Sequence, residues 1–164
     1  MANQFGISFR GRFAEQLFLN RTGAEKSPSA SAGDAIIDGN AIEIKRAKTN
    51  TINQVRAVKY NVLAIYYCPN EIPPSWYIVP PDMVCRLVSR KRRGQHTENP
   101  FESSTLNIKD LADYQIHDET QLRESVLKAV RKGAQYPDLQ DAMICILERE
   151  RLHARQDREL VATL

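Results

Sequence analysis

The chain has 164 residues, 42% of them hydrophobic and 26% charged, with a formal net charge of +3 and three cysteines. That length suits one domain with a sizeable core, and no apolar run approaches the roughly 18 residues of a membrane span. The opening stretch MANQFGISFRGRF lacks the continuous apolar segment of a signal peptide, so a cytoplasmic protein is expected. Cys68, Cys85 and Cys145 lie far apart without a CxxC pair, which favours buried reduced thiols over zinc or redox chemistry.

Residues 4–21 read as a helix in which Phe9, Phe13 and Leu17 recur at helical spacing, joined by Ile7 and Ala14. Gly23 is placed to end it, and the small polar stretch 26–33 reads as a loop. Asp34 to Ile37 is a short β-branched run, Asp38-Gly39-Asn40 a turn, and Ala41 to Lys45 alternates strictly. The pattern predicts a hairpin. Side chains alternate on a strand, so Glu43 and Lys45 share one face while Ile42 and Ile44 fill the other.

Residues 51–60 read as a short helix or an extended connector. Val62 to Tyr67 is a near-continuous apolar run, as expected for a central strand buried on both faces. After a loop marked by Pro69, Pro73 and Pro74, Trp76 to Val79 is a further strand. Asp82 to Val88 follows as a short helix with Met83, Val84, Leu87 and Val88 on one side. Residues 89–104 are basic, then polar, and read as an irregular excursion. Stretches 106–114 and 119–132 read as helical, the second with Leu122, Val126, Leu127 and Val130 as its stripe. A long helix is expected over 138–161, with Leu139, Ala142, Met143, Ile146 and Leu147 on its apolar face. The order of elements implies an α/β fold with a small mixed sheet flanked by helices and a C-terminal helical extension.

Asp34 and Glu43 sit where paired strands bring two carboxylates together. Magnesium is held by one or two carboxylates completed by waters and substrate phosphate, and the Ile44 carbonyl is placed to contribute. Lys45, two positions from Glu43, points to the same side and is suited to stabilise charge on phosphate or to orient water. Phosphodiester hydrolysis needs this set: a cation to polarise the phosphate and to help form hydroxide.

The segment Gly33-Asp34, followed after a hairpin by Glu43-Ile44-Lys45, resembles the PD-(D/E)XK motif of the restriction-endonuclease-like nuclease superfamily, with Gly33 in place of the nominal proline. The resemblance covers about residues 5–80. It implies a restriction-endonuclease-like core over residues 1–88; the basic excursion and helical extension of 89–164 have no such match and read as packed on the same domain. It implies a magnesium-dependent endonuclease, with Mn2+ able to substitute, most like a small type II restriction enzyme. Asp34, Glu43, Lys45 and Glu15 are then its expected catalytic residues, and Asp34, Glu43, the Ile44 carbonyl and Glu15 its metal ligands. Glu15, on the helix before the hairpin, falls where many superfamily members carry a further metal-binding glutamate, and Gln54 where related nucleases carry a polar site residue.

Double-stranded DNA is then the expected partner. Arg46, Lys48, Arg56 and Lys59 add positive charge beside the site, and the run Arg90-Lys91-Arg92-Arg93 suits phosphate contact. Gln95, with Asn99, is chemically apt for base contact, and His96 lies beside the basic run. A double-strand cutter needs two sites, which predicts a homodimer or a heteromeric half. Two alternatives share the core, a Holliday-junction resolvase and an intron-type homing endonuclease. A non-catalytic DNA-binding protein on the same fold is a third. His96, His117 and His153 lack metal-ligand spacing, no serine has a positioned base, and neither GxxxxGK[ST] nor GxGxxG occurs.

Overall fold

The computed structural model describes residues 3–29, 32–57, 62–135 and 138–163, without the side chains of 3–11, 139, 140, 143, 144, 146, 147 and 151. Helix α1 spans Asn3–Thr22 and ends at Gly23, whose φ of 70° and N–H bond to the Leu19 carbonyl make a left-handed cap. The strands that follow are β1 (Glu25–Lys26), β2 (Ala35–Ile37), β3 (Asn40–Ala47), β4 (Thr51–Val55), β5 (Val62–Tyr67) and β6 (Ser75–Val79). Helix α2 (Pro81–Ser89), β7 (Ser104–Asn107), a 3-10 helix (Ile108–Tyr114), β8 (Gln115–Ile116), α3 (Leu122–Ala134) and α4 (Leu139–Ala162) complete the chain.

A mixed six-stranded sheet in the order β1-β2-β3-β5-β6-β8 forms the centre. The expected hairpin is present: β2 and β3 are antiparallel, joined where Asp38 and Gly39 both take positive φ, 48° and 76°. Strand β3 pairs with β5 in parallel, and β5 with β6 antiparallel. Strand β5 is buried at every position, which is why it is apolar throughout. On one side of the sheet, α1 and α3 contribute Ala14, Phe18, Leu122, Val126, Ala129 and Val130 to a core with Ile42, Ile44, Ala64 and Trp76. On the other, α2 packs over Leu63, Ile65, Tyr77 and Val79 together with Ile52, Val55, Phe101 and Leu106. The protein is therefore a mixed α/β structure with a mixed sheet flanked by helices.

Several expectations change. Thr51–Val55 is a strand rather than a helix or plain connector, and it pairs with β7 in a separate two-stranded ribbon. The stretch expected to be helical from 106 starts as β7 and continues as a 3-10 helix, and 119–121 is a 3-10 turn before α3. On α1 the expected Ala14 is buried and Leu17 packs against the core, but Phe18, outside the expected stripe, is fully buried and Phe13 is 53% exposed; the side chains of Ile7 and Phe9 lie outside the description. Cys85 alone of the cysteines is buried; Cys68 is half-buried and Cys145 exposed. Ala142 of α4 is exposed, while the side chains of Leu139, Met143, Ile146 and Leu147 lie outside the description. Among the described residues, no helix is long and apolar enough to cross a membrane.

Helices α2 and α3 meet at Gly133, where an added Cβ would lie 2.4 Å from Pro81 Cγ. Beside this contact Lys132 Nζ reaches the buried Asp82 carboxylate at 3.4 Å. Alanine would gain about 1 kcal/mol of helix propensity over glycine, but overpacking against a rigid ring costs typically about 1–3 kcal/mol. Gly133→Ala is therefore expected to lower stability by about 1 kcal/mol despite the better helix former, measured by urea denaturation.

Candidate metal and phosphate site

The site is built on β3, the strand between the hairpin partner β2 and the buried β5. Glu43 and Lys45 project to the α2 side, beside Leu63 and Ile65 of β5, while Ile42 and Ile44 fill the α1–α3 side. Lys45 Nζ lies 2.6 Å from Glu43 Oε1. Glu43 is only 4% exposed, and its second oxygen, Oε2, is buried without a hydrogen-bond partner. A buried acceptor left unmet costs roughly 1–3 kcal/mol, and more when charged. Such an atom in a folded protein calls for an explanation in chemistry.

Asp34 flanks the start of β2. Its N–H donates to the Ile42 carbonyl at 2.9 Å, and its Oδ2 accepts the Ile44 N–H at 2.7 Å. The carboxylate thus continues the β2–β3 ladder past the end of β2 and is locked to the strand that carries Glu43. A strand residue's N–H and C=O leave on the same side, so the Ile44 carbonyl faces the Asp34 edge as well.

The carboxylates feel one another. Burial raises the Glu43 carboxyl above the ordinary carboxylate range; the charge and hydrogen bond of Lys45 pull it down, Asp34 pushes it up and Arg56 pulls it down. Glu15, half-buried on α1, is also raised, first by burial and then by the charge of Asp34, against Lys26 and Arg12. Asp34 is thus the charge common to both glutamates. Among the described residues no three His, Cys, Asp or Glu side chains close into a metal-holding group. An open set of two carboxylates and a carbonyl does fit magnesium, which keeps several waters and takes substrate phosphate as a ligand. The unpartnered Glu43 Oε2 is the atom that fits such an ion best. Glu15 stands at electrostatic range behind Asp34.

A small cavity of about 10 Å³ lies against Glu43, walled by Val55, Arg56, Val62, Leu63 and Val84. It is close to the smallest volume that holds one water. Arg56 belongs to the site by both its position and its effect on Glu43.

The remaining sequence-derived residues divide. Lys48 is exposed just past β3. Arg46 alternates to the face opposite Glu43 and Lys45, where it is half-buried, acts on Tyr66 and has a buried Nε without a partner; it does not line the carboxylate site. Arg90, Arg92, Arg93 and His96 are exposed and Lys91 half-buried. Lys59 lies outside the described residues. Gln95 and Asn99 were expected to meet bases, yet both side chains are engaged internally. Gln95 Oε1 accepts the Gln54 N–H at 2.7 Å and the Thr105 hydroxyl at 3.2 Å, and Asn99 Oδ1 accepts the Phe101 N–H at 3.0 Å. Gln54 itself has φ of 54°, a strained backbone for a non-glycine residue that costs about 1 kcal/mol or more.

Asp82 was missed in the sequence. It is 4% exposed, with Oδ1 unpartnered, and only its place in the first turn of a short amphipathic helix, where acids are ordinary, was visible. Compared with known protein families and with curated proteins, the sequence matches none.

A carboxyl that holds its proton more tightly in the folded than in the unfolded chain stabilises the fold while protonated. That contribution is complete below the ordinary carboxylate value and is lost as pH rises through the raised folded one. Glu43→Gln keeps the shape and a hydrogen-bond acceptor for Lys45, whose side chain remains 23% exposed to water. In metal-free buffer at pH 7 the variant is expected to be more stable than the parent by about 1 kcal/mol. The difference should shrink in denaturation curves taken at progressively lower pH, and a constant gap would show that Glu43 does not carry the strain.

Proposed function

We propose that the protein is a magnesium-dependent DNA endonuclease with a restriction-endonuclease-like core, acting by attack of water on a phosphodiester. The Glu43 carboxylate carries this reading: it is buried, held through one oxygen by Lys45, its second oxygen is unmet, and the charge of Asp34 acts on it. A fold that needed only a stable core would place an apolar residue here, since a half-satisfied buried charge is worse than none. A divalent cation gives that oxygen a partner and relieves the repulsion between Asp34 and its two glutamate neighbours.

Asp34, Glu43 and the Ile44 carbonyl would hold the ion, which supplies polarisation of the phosphate and a more acidic bound water. The protein's own part is positional and electrostatic. The Ile44 N–H holds the Asp34 carboxylate in register with Glu43. Lys45 has its ammonium fixed by Glu43 at the partly buried margin of the core, where a cation acts more strongly on a phosphate than it would in open water. Glu15 adds negative charge behind Asp34 and so favours cation uptake. Val55 and Val84 wall the Glu43 cavity and limit bulk water. Exposed cations at Lys48, Arg90 and Arg93 are placed for the phosphate backbone of duplex DNA.

Cutting both strands requires two such sites, and hence a dimer or a second subunit. Exposed Leu152, Leu160 and Val161 on α4 are the apolar side chains to bury in that contact. A restriction-type activity is preferred to junction resolution because of the ribbon and packed excursion beside the site, which a minimal resolvase does not need.

Plasmid and phage DNA incubated with Mg2+ should be cut, and chelation by EDTA should stop the reaction. Lys45→Ala should reduce the rate about 100-fold or more, the scale seen on losing one charge-stabilising donor. Undiminished cutting by Lys45→Ala would remove the site assignment. Failure of the wild type on linear duplex and on four-way junctions alike would leave a binding protein, and cutting of junctions alone would favour the resolvase.

A further inference from the structure

The β4–β7 ribbon is a separate two-stranded sheet with two unlike faces. Ile52, Val55, Ser104 and Leu106 are buried inward. The outward positions on β4 are Thr51, Asn53 and Gln54, all exposed, and on β7 Thr105 and Asn107. Every outward side chain is a neutral amide or hydroxyl. Threonine is at home in a strand, but asparagine is depleted from strands, so Asn53 and Asn107 are the features to be explained.

The register explains why two consecutive residues face out. Ile52 opposes Leu106 and Val55 opposes Ser104, so Asn53 and Gln54 together oppose the single residue Thr105. This is a β-bulge, a device that re-aims a side chain and occurs often beside active sites. It places Gln54 in the left-handed region, with φ of 54°. Gln95 holds the bulge in place, its Oε1 accepting both the Gln54 N–H and the Thr105 hydroxyl. Asn53 Oδ1 lies 3.4 Å from the same hydroxyl, as the alternative acceptor of its one proton.

The ribbon's position gives the bulge a target. Gln54 is two residues from Arg56, which walls the cavity at Glu43 and whose charge acts on that carboxylate. Exposed Lys48 stands three residues before Thr51, and exposed Arg92 and Arg93 stand three and two residues before Gln95. Neutral amides are thus bordered by cations.

We propose that this ribbon enters the major groove of duplex DNA, with Asn53 and Gln54 contacting base edges and Gln95 as the positioning residue that fixes them. The major groove admits a two-stranded ribbon, and Asn and Gln pair with adenine through its N6 and N7 edge. Phosphates on either side meet the bordering cations. The deep, narrow major groove of duplex RNA would not admit the ribbon. The proposal rests on reading the chain as a DNA-acting protein, but not on its cutting DNA.

The test selects a randomised duplex DNA pool on the full chain, with Ca2+ in place of Mg2+ so that bound DNA survives, and sequences what is retained. Ends produced by cleavage in Mg2+ are mapped in parallel. The wild type should enrich a defined motif. Gln54→Gly, which takes the positive φ without strain, and Asn53→Ala should each lose about tenfold or more of the preference at one or two base pairs, leaving the rest of the motif intact. Gln95→Met, which lacks the acceptor, should lose preference at the same base pairs as Gln54→Gly. Gln95→Glu, which retains an acceptor, should keep it.

A motif with these losses but no cleavage would uphold the ribbon and discard the nuclease. Cleavage with a motif unchanged in the Asn53 and Gln54 variants would overturn the ribbon and leave the nuclease. A wild type that enriches no motif, or that prefers duplex RNA, would also overturn it.

Discussion

Everything around the site depends on how β3 is enclosed. Strand β5, its parallel neighbour, is apolar on both faces because helices or the ribbon cover both. That pairing brings the face of β3 bearing Glu43 and Lys45 alongside Leu63 and Ile65, at the margin of a hydrophobic core. A carboxylate there has lost most of its water and must find compensation in the protein. Lys45 supplies part of it, 2.6 Å away. The remainder is missing, and the unmet Oε2 is the consequence. The same enclosure makes each neighbouring charge more effective, so Asp34 and Arg56 both act on Glu43 and no single one of them sets its state.

The crossover from β3 to β5 has a second effect. Parallel neighbours need a long connection, commonly a helix. Here the described part of the connection, residues 48–57, carries β4, and its partner β7 arrives from the second half of the chain. The connection therefore does not simply return the chain. It places Val55 and Arg56 against Glu43, and Phe101 and Leu106 from the second half of the chain join Val55 in one core. Gly94 is held within this packing, where an added Cβ would sit 2.6 Å from the Ser103 carbonyl oxygen, and Phe101 is fully buried. A segment that reads in isolation as an irregular basic loop is a packed part of the fold.

What could be read from the sequence follows from what each pattern averages over. The hairpin and β5 were legible because turn chemistry and strict periodicity agree locally, and the Glu43–Lys45 pair followed from alternation alone. The ribbon was hidden by its own bulge. The extra residue spaces the buried Ile52 and Val55 three apart, which imitates a helical stripe. Leu106, Ile108 and Leu111 run from a strand into a 3-10 helix, whose three-residue spacing also imitates an α-helix. On α1, Phe13-Leu17 and Ala14-Phe18 have the same spacing, and only the tertiary partners Tyr66 and Trp76 decide that Phe18 is buried and Phe13 exposed. Gln95 looked like a base reader because its chemistry is right, but its partner Gln54 lies 41 residues away in sequence. Glu15 was placed near Asp34 by resemblance alone; in the fold it is half-buried and the charge of Asp34 acts on it.

The link between ribbon and site is as much covalent as electrostatic. Gln54 and Arg56 are separated by one residue, Val55, which is buried in the core at the end of the bulged strand. Val55 acts as a fulcrum that cannot leave its packing without losing apolar burial. Gln54 on one side of it is pinned by Gln95, and Arg56 on the other faces the Glu43 cavity. With the middle residue fixed, the outward amide and the inward cation are set in one geometry, and neither is free to relax alone. A loop would have left the two independent. A bulged strand, strained at Gln54 and anchored at Val55, ties the surface of the molecule to the charge beside its buried carboxylate.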